Sequence, residues 1–207
     1  MKKSEILFYL MLLFCSSCKS HNTGNQKSKN SSEATLLNDE ALKTSELTCN
    51  KDSIEKSIKL FERAIKLDNT EPLFYSNEAE MFCNLKKYQD AIKVLNRYLY
   101  NFPINLSMET LKGFIFEYTG NIDSAMALYS NSISHYDVKM ERDSNNISLL
   151  LDRALLLLFT KGKSEGKMEY DRIANKFPND ETVKFLKDDY YSFDRKTYLR
   201  QIFSNCN

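Results

Sequence analysis

The 207-residue chain has no tryptophan, three prolines and five glycines. So little of the residues that punctuate turns excludes collagen, β-barrel and proline-rich linker classes, and leaves long helices joined by short turns. Neither sign of charge is in excess, with 29 Lys and Arg against 28 Asp and Glu. The chain therefore lacks the positive field that phosphate-backbone binding needs, and nucleic acid is not an expected partner. Histidine is nearly missing as well: His21 falls in a polar N-terminal stretch and His135 near the end of an expected helix. Neither a two-histidine metal site nor a Ser-His-Asp constellation has a framework, so no metal, cofactor or catalytic residue is expected. The length allows one compact domain or a short repeat array.

The longest strongly apolar run is near the N-terminus. Lys2 and Lys3 precede Ile6 to Phe14, followed by Cys15, Ser16, Ser17 and Cys18. The run is about half of the roughly 20 residues that a membrane-spanning helix needs, which fits a cleavable secretory signal better than a permanent span. Two small residues before Cys18 resemble the lipobox of bacterial lipoproteins, with Cys15 standing where that family usually has Leu. The resemblance implies a signal peptide over 1–17, lipid on Cys18 and, because Lys19 rather than Asp follows, the outer membrane, with the protein facing the periplasm. Attachment to the membrane is then through the N-terminal lipid only. Residues 19–33 contain no large apolar side chain and predict a disordered tether over 18–35, with a reach of roughly 20 Å.

Shifting the chain by 34 residues pairs Ala79 with Gly113, Phe82 with Phe116, Ala91 with Ala125 and Leu95 with Tyr129, small on small and large on large. These positions resemble the tetratricopeptide repeat, a pair of antiparallel helices that approach closely at small residues. Restarting the frame at Ile147 places Ala154, Leu157, Tyr170 and Pro178 at the same spacings, with Gly166 where Ala is expected. An insertion between about Tyr136 and Asn146 predicts that the preceding helix runs long. Upstream, residues 53–67 read as the second helix of an earlier unit, capped by Asp52 or Ser53, with Phe61 and Ala64 in the seam. Its partner, about 36–48, has the weak core residues Ala41, Thr44, Ser45 and Thr48. The resemblance implies an all-α helical-hairpin repeat solenoid of three to four repeats over 36–180. Residues 181–207 would form C-terminal capping helices, since a repeat array otherwise ends on an apolar face.

Several strings tempt a chemical reading. Gly162-Lys163-Ser164 echoes a phosphate-binding loop, but the position five residues before the lysine is Leu158 rather than Gly, which makes a helix-to-helix turn the better reading. Asp180-Glu181 and Asp188-Asp189 read as charges at helix starts and on solvated faces. Asp52-Ser53-Ile54 and Asp123-Ser124-Ala125 resemble an O-glycosylation signal of some bacterial envelope proteins, and equally the capped starts of second helices. Once Cys15 and Cys18 are set aside, Cys49, Cys83 and Cys206 remain; Cys83 reads as a small core residue, and pairing of Cys49 with Cys206 stays open.

In the repeat family the first helices line a concave groove. Carried onto this chain, that groove would hold Ser76 and Glu80 in one unit, Phe114, Glu117 and Tyr118 in the next, and Leu151, Leu155 and Phe159 in the third. The set that clamps a C-terminal carboxylate in chaperone-binding members is missing. The stretch 149–159 is apolar nearly all round except for Asp152 and Arg153, so it must be covered, either by the C-terminal segment or by a partner. The resemblance therefore implies a non-catalytic adaptor or assembly factor for other envelope proteins or peptides. The alternatives are an envelope enzyme with carboxylates and tyrosines in the groove, or a self-associating structural subunit.

Overall fold

In the computed structural model the described residues, 25–48 and 50–203, form helices joined by short turns. They are α1 (Asn25–Thr48), α2 (Lys51–Leu67), α3 (Pro72–Asn84), α4 (Tyr88–Asn101), α5 (Leu106–Tyr118), α6 (Ile122–Arg142), α7 (Ile147–Thr160), α8 (Lys163–Lys176), α9 (Glu181–Tyr191) and α10 (Arg195–Phe203). Cys18, Cys49 and Cys206 lie outside the described residues. No helix among the described residues is long and apolar enough to cross a membrane. The chain divides within α5 into two compact units, 25–111 and 112–202.

The 34-residue offset reappears as geometry. Helix α3 starts at Pro72 and α5 at Leu106; α4 starts at Tyr88 and α6 at Ile122. The seven inserted residues lie in α6, which is 21 residues long against 14 in α4, two extra turns at the helical period. Two hairpin turns bend in the left-handed region at residues 34 apart, Lys86 at φ 59° and Gly120 at 87°, while the α7–α8 turn has its positive φ one position later, at Gly162 (92°), directly before α8. Around the first two, the next amide donates back five residues, Lys87 to the Phe82 carbonyl and Asn121 to that of Phe116, both at 2.8 Å. Gly162, whose amide donates to the Leu157 carbonyl at 3.1 Å, directly precedes α8, so the echo of a phosphate loop is the turn into the first residues of that helix.

In the unit 25–111, α1 packs on α2, α2 on α3 and α3 on α4. Helix α2 is strongly two-faced, burying Ile54, Ile58, Phe61, Ala64 and Ile65. Its cap is Asn50, whose side chain accepts from the Ser53 amide at 2.9 Å, rather than Asp52 or Ser53. Asn121 does the same for Ser124 at the start of α6, so each Asp-Ser pair lies inside a first turn that an asparagine caps. Helix α1 begins at Asn25, inside the segment read as a tether, and packs through Ala34, Leu37, Asn38, Ala41 and Ser45. The smallness that made these residues look like a weak core lets α2 approach: the Ser57 hydroxyl donates to the Ala41 carbonyl at 2.7 Å.

In the unit 112–202, α5 pairs with α6, α7 with α8, and α6 packs on α7. Gly113 and Gly166 hold the two closest approaches. A methyl group at Gly113 would stand 2.5 Å from the Tyr129 ring, and one at Gly166 would stand 2.4 Å from the Leu158 side chain and 2.8 Å from its backbone nitrogen. The close approach of the α7 backbone thus leaves no room for a side chain at Gly166. Ala125, Ala154 and Tyr129 are wholly buried here, as are Ala79 and Ala91 in the other unit, whereas Phe82, Phe116 and Leu157 are half-buried in their three hairpins. Helix α9 rests on α8 and α7, with the Tyr170 and Tyr190 rings stacked at 4.6 Å. All of this is an all-helical, paired-helix packing of the kind found in repeat proteins.

Candidate functional site

Ser76 and Glu80 lie half-buried on α3, where the Ser76 hydroxyl turns back to the Leu73 carbonyl at 3.0 Å. The other six groove residues expected from the sequence belong to α5 and α7 in the unit 112–202. Phe114 and Glu117 sit one turn apart on α5, a spacing that puts them on the same face, with half-buried Tyr118 beside them. Leu151, Leu155 and Phe159 follow one another at four-residue intervals on α7 and are all buried. Three aromatic rings from successive helices close the floor of this face: Phe114 to Phe159 at 4.9 Å, Tyr129 to Phe159 at 5.4 Å and Phe114 to Tyr129 at 5.7 Å.

One carboxylate stands in this apolar surround. The Glu117 side chain is only 6% exposed, a position that is costly for a charge unless it is paired and hydrogen-bonded. Its Oε2 accepts from the Tyr129 hydroxyl at 3.0 Å and from Nη2 of Arg195 at 2.8 Å, while its Oε1 accepts from Nε of Arg195. The two-point pairing matches the fork of a guanidinium to the two oxygens of a carboxylate. Arg195 Nη1 donates to the Phe159 carbonyl at 2.9 Å, and the guanidinium carbon lies 5.4 Å from the centre of the Phe159 ring. Burial and the neighbouring Glu117 charge push the Tyr129 hydroxyl far above its ordinary range, which leaves it a donor at any accessible pH.

The C-terminal segment thus occupies the face. Asp194 caps α10 through the Thr197 amide at 2.8 Å, which orients the first turn. Tyr198 then lies 5.7 Å from Phe114 and 5.5 Å from Phe159, and Phe193 lies 5.3 Å from Phe159. Just before, the Tyr190 hydroxyl of α9 donates to the Leu151 carbonyl at 2.5 Å. Between the two alternatives for covering the apolar helix α7, the structure has the chain's own C-terminus in place.

The two charged residues of α7 take separate routes. Arg153 bridges Asp137 of α6 at 2.5 Å and Glu169 of α8 at 3.0 Å, tying three helices together. Asp152 accepts from the Tyr136 hydroxyl at 3.3 Å in an enclosure shared with Tyr190 and Tyr198, and burial pushes its carboxyl up to about 7. In the unit 25–111 Glu78 is likewise buried, paired with Arg97 at 2.6 Å, and burial pushes it up to about 7. Burial also drives the Cys83 thiol well above the usual thiol range, the behaviour of a core residue. His135 is half-buried on α6. Among the described residues no group of histidine, cysteine and carboxylate side chains has the arrangement of a metal site.

Arg195 is a member of this site that the repeat pattern did not single out, and the sequence reads Tyr129 as a packing position and Asp152 as a break in an apolar helix rather than as parts of the groove. A signal for Arg195 existed: it is flanked by Phe193 and Tyr198 just after the end of α9, and Glu117 is the one acidic residue among the groove positions of the two apolar units. Compared with protein-family profiles and with curated proteins, the chain matches none.

Proposed function

We propose that the chain is a lipid-anchored tetratricopeptide-type repeat protein of the bacterial cell envelope, an adaptor or assembly factor that holds other envelope proteins or peptides on the face formed by the first helices of its hairpins. It carries out no catalysis of its own. The observation that carries this reading is the use of that face: Phe114, Glu117 and Phe159 grip a helical segment through one charge-assisted fork and several ring contacts, the anchoring by arginine and aromatic residues that concentrates binding energy in protein interfaces. The repeated helix starts at a 34-residue offset and the small residues at the closest contacts support the tetratricopeptide assignment. Cys18 with its preceding apolar run supports lipid attachment, an outer-membrane site and a periplasmic orientation.

The test is affinity purification of the cross-linked, tagged, full-length protein from its native envelope, alongside labelling with a fatty-acid analogue. Label on the unaltered chain and none on Cys18→Ser, with reproducible recovery of one or two envelope proteins, is the expected result. Recovery of only background proteins would overturn the adaptor role. The observation that favours a second reading, an enzyme, is the Asp152 carboxyl near neutrality beside Tyr136, Tyr190 and Tyr198. That reading requires an envelope activity lost in Asp152→Asn while the helical signal is kept.

A further inference from the structure

Helix α10 differs from the other helices of its unit in how it is held. It has nine residues, too few for an isolated helix to persist in water, and Lys196, Thr197, Arg200 and Gln201 remain exposed. Arg195 contacts Glu117 and Phe159, Tyr198 contacts Phe114 and Phe159, Phe193 just ahead of the helix packs on Phe159, and Leu199, Ile202 and Phe203 are buried as well. The floor beneath does not depend on them, because Phe114, Tyr129 and Phe159 pack on one another across α5, α6 and α7. With α10 lifted away, the rings of the face keep their neighbours.

Glu117 then sets the chemistry of whatever sits there. Its carboxylate is held in the apolar surround by the Tyr129 hydroxyl, one donor for two oxygens, and Arg195 supplies the rest. An apolar occupant would leave a buried charge without its counterion, which is strongly unfavourable. The face is therefore selective for a cation, and the ring of Phe159 beneath the guanidinium, with the Phe159 carbonyl as a third acceptor, favours the planar fork of arginine over the point charge of lysine.

We infer that residues 192–203 are a tethered occupant of the partner site, and that the site's ligand class is an amphipathic helical segment with an arginine, an aromatic residue two positions before it and another three positions after it. A partner segment of that kind exchanges with α10, so the free protein is self-occluded and opens only to a competitor that repeats the Phe193, Arg195, Tyr198 pattern. This rests on the adaptor reading of the same face.

The probe is a fluorescent peptide of residues 192–203, added to the full-length protein and followed by anisotropy. Arg195→Glu, which repels α10 from Glu117, is expected to bind it at least tenfold more tightly than the unaltered chain. Binding is lost when the peptide carries glutamate in place of its arginine. An Arg195→Glu protein with full helical signal and no binding would overturn the inference. Hydrogen exchange on the unaltered protein tests the same point without a variant: amides of 195–203 should open together, ahead of those of 149–159, and a single common opening would overturn it. A released protein that binds the peptide yet recovers no envelope protein overturns the adaptor role instead.

Discussion

Arg195 and Glu117, 78 residues apart in the chain, meet through both nitrogens of one edge of the guanidinium and both oxygens of the carboxylate. The pair is asymmetric: the Glu117 side chain is 6% exposed and that of Arg195 36%. Losing the arginine strands a buried charge, whereas losing the glutamate leaves a guanidinium with access to water. Arg195→Met is accordingly expected to cost more stability than Glu117→Gln, with a coupling between the two of roughly 1–3 kcal/mol in a double-mutant cycle. Denaturant unfolding of the four proteins measures it; additive effects would contradict a direct pair.

The two buried glycines differ in what opposes an added methyl group. At Gly113 only the Tyr129 ring is in the way, but at Gly166 the backbone nitrogen of Leu158 is also too close. Alanine normally stabilises a helix relative to glycine by roughly 0.5–1 kcal/mol, so the sign of the change is informative. Both Gly113→Ala and Gly166→Ala are expected to destabilise, by roughly 1–3 kcal/mol. Adding Leu158→Ala should not rescue Gly166→Ala, since the backbone conflict remains. Thermal unfolding of the single and double variants checks this.

Lys86 bends its turn at φ 59°, where the residue 34 positions on is Gly120. A side chain in the left-handed region costs roughly 1–2 kcal/mol, and Lys86 is exposed. Lys86→Gly is expected to raise stability by up to about 1 kcal/mol, part of the gain being offset by the greater freedom of glycine in the unfolded chain. An unchanged or lowered midpoint of unfolding in urea would contradict it.

Burial lifts the Asp152 carboxyl from an ordinary value near 3.8 to about 7. The folded state therefore holds this proton over a range in which the unfolded chain has lost it, and stability from this group falls as pH rises from about 4 to about 7. Asp152→Asn keeps an acceptor for Tyr136 and removes the titration. Its melting temperature, compared with that of the unaltered protein, is expected to gain from pH 5 to about pH 7 and to level off above. Glu78 titrates in the same direction in both proteins and cancels in the difference. A difference independent of pH would contradict the assignment.

The hairpins were legible because their closest contacts are made by residue type at fixed intervals. Ala79 with Gly113 and Ala91 with Ala125 carry the 34-residue offset, and the long α6 follows from where the frame has to restart. Helix α1 was harder to read. Its seam is made of Ala34, Ala41 and Ser45, which a pattern of large apolar side chains does not register, and so its first turns resembled a tether. The caps of α2 and α6 fell on Asn50 and Asn121, because an asparagine three residues ahead of a serine accepts that serine's amide. The groove positions Phe114, Glu117 and Phe159 came from the repeat frame, but their occupant did not. Periodicity describes neighbours along one helix, whereas Arg195 reaches Glu117 across the fold through a single complementary charge.

On the proposed function, the face of α5 and α7 receives another protein. The most direct test is photo-cross-linking in the native envelope from a photoreactive residue placed at half-buried Tyr118, compared with the same residue at exposed Lys139 on α6. The account predicts a discrete protein adduct from position 118 that is stronger in an Arg195→Glu background and missing from position 139. No adduct at 118, or the same adducts from both positions, would contradict it.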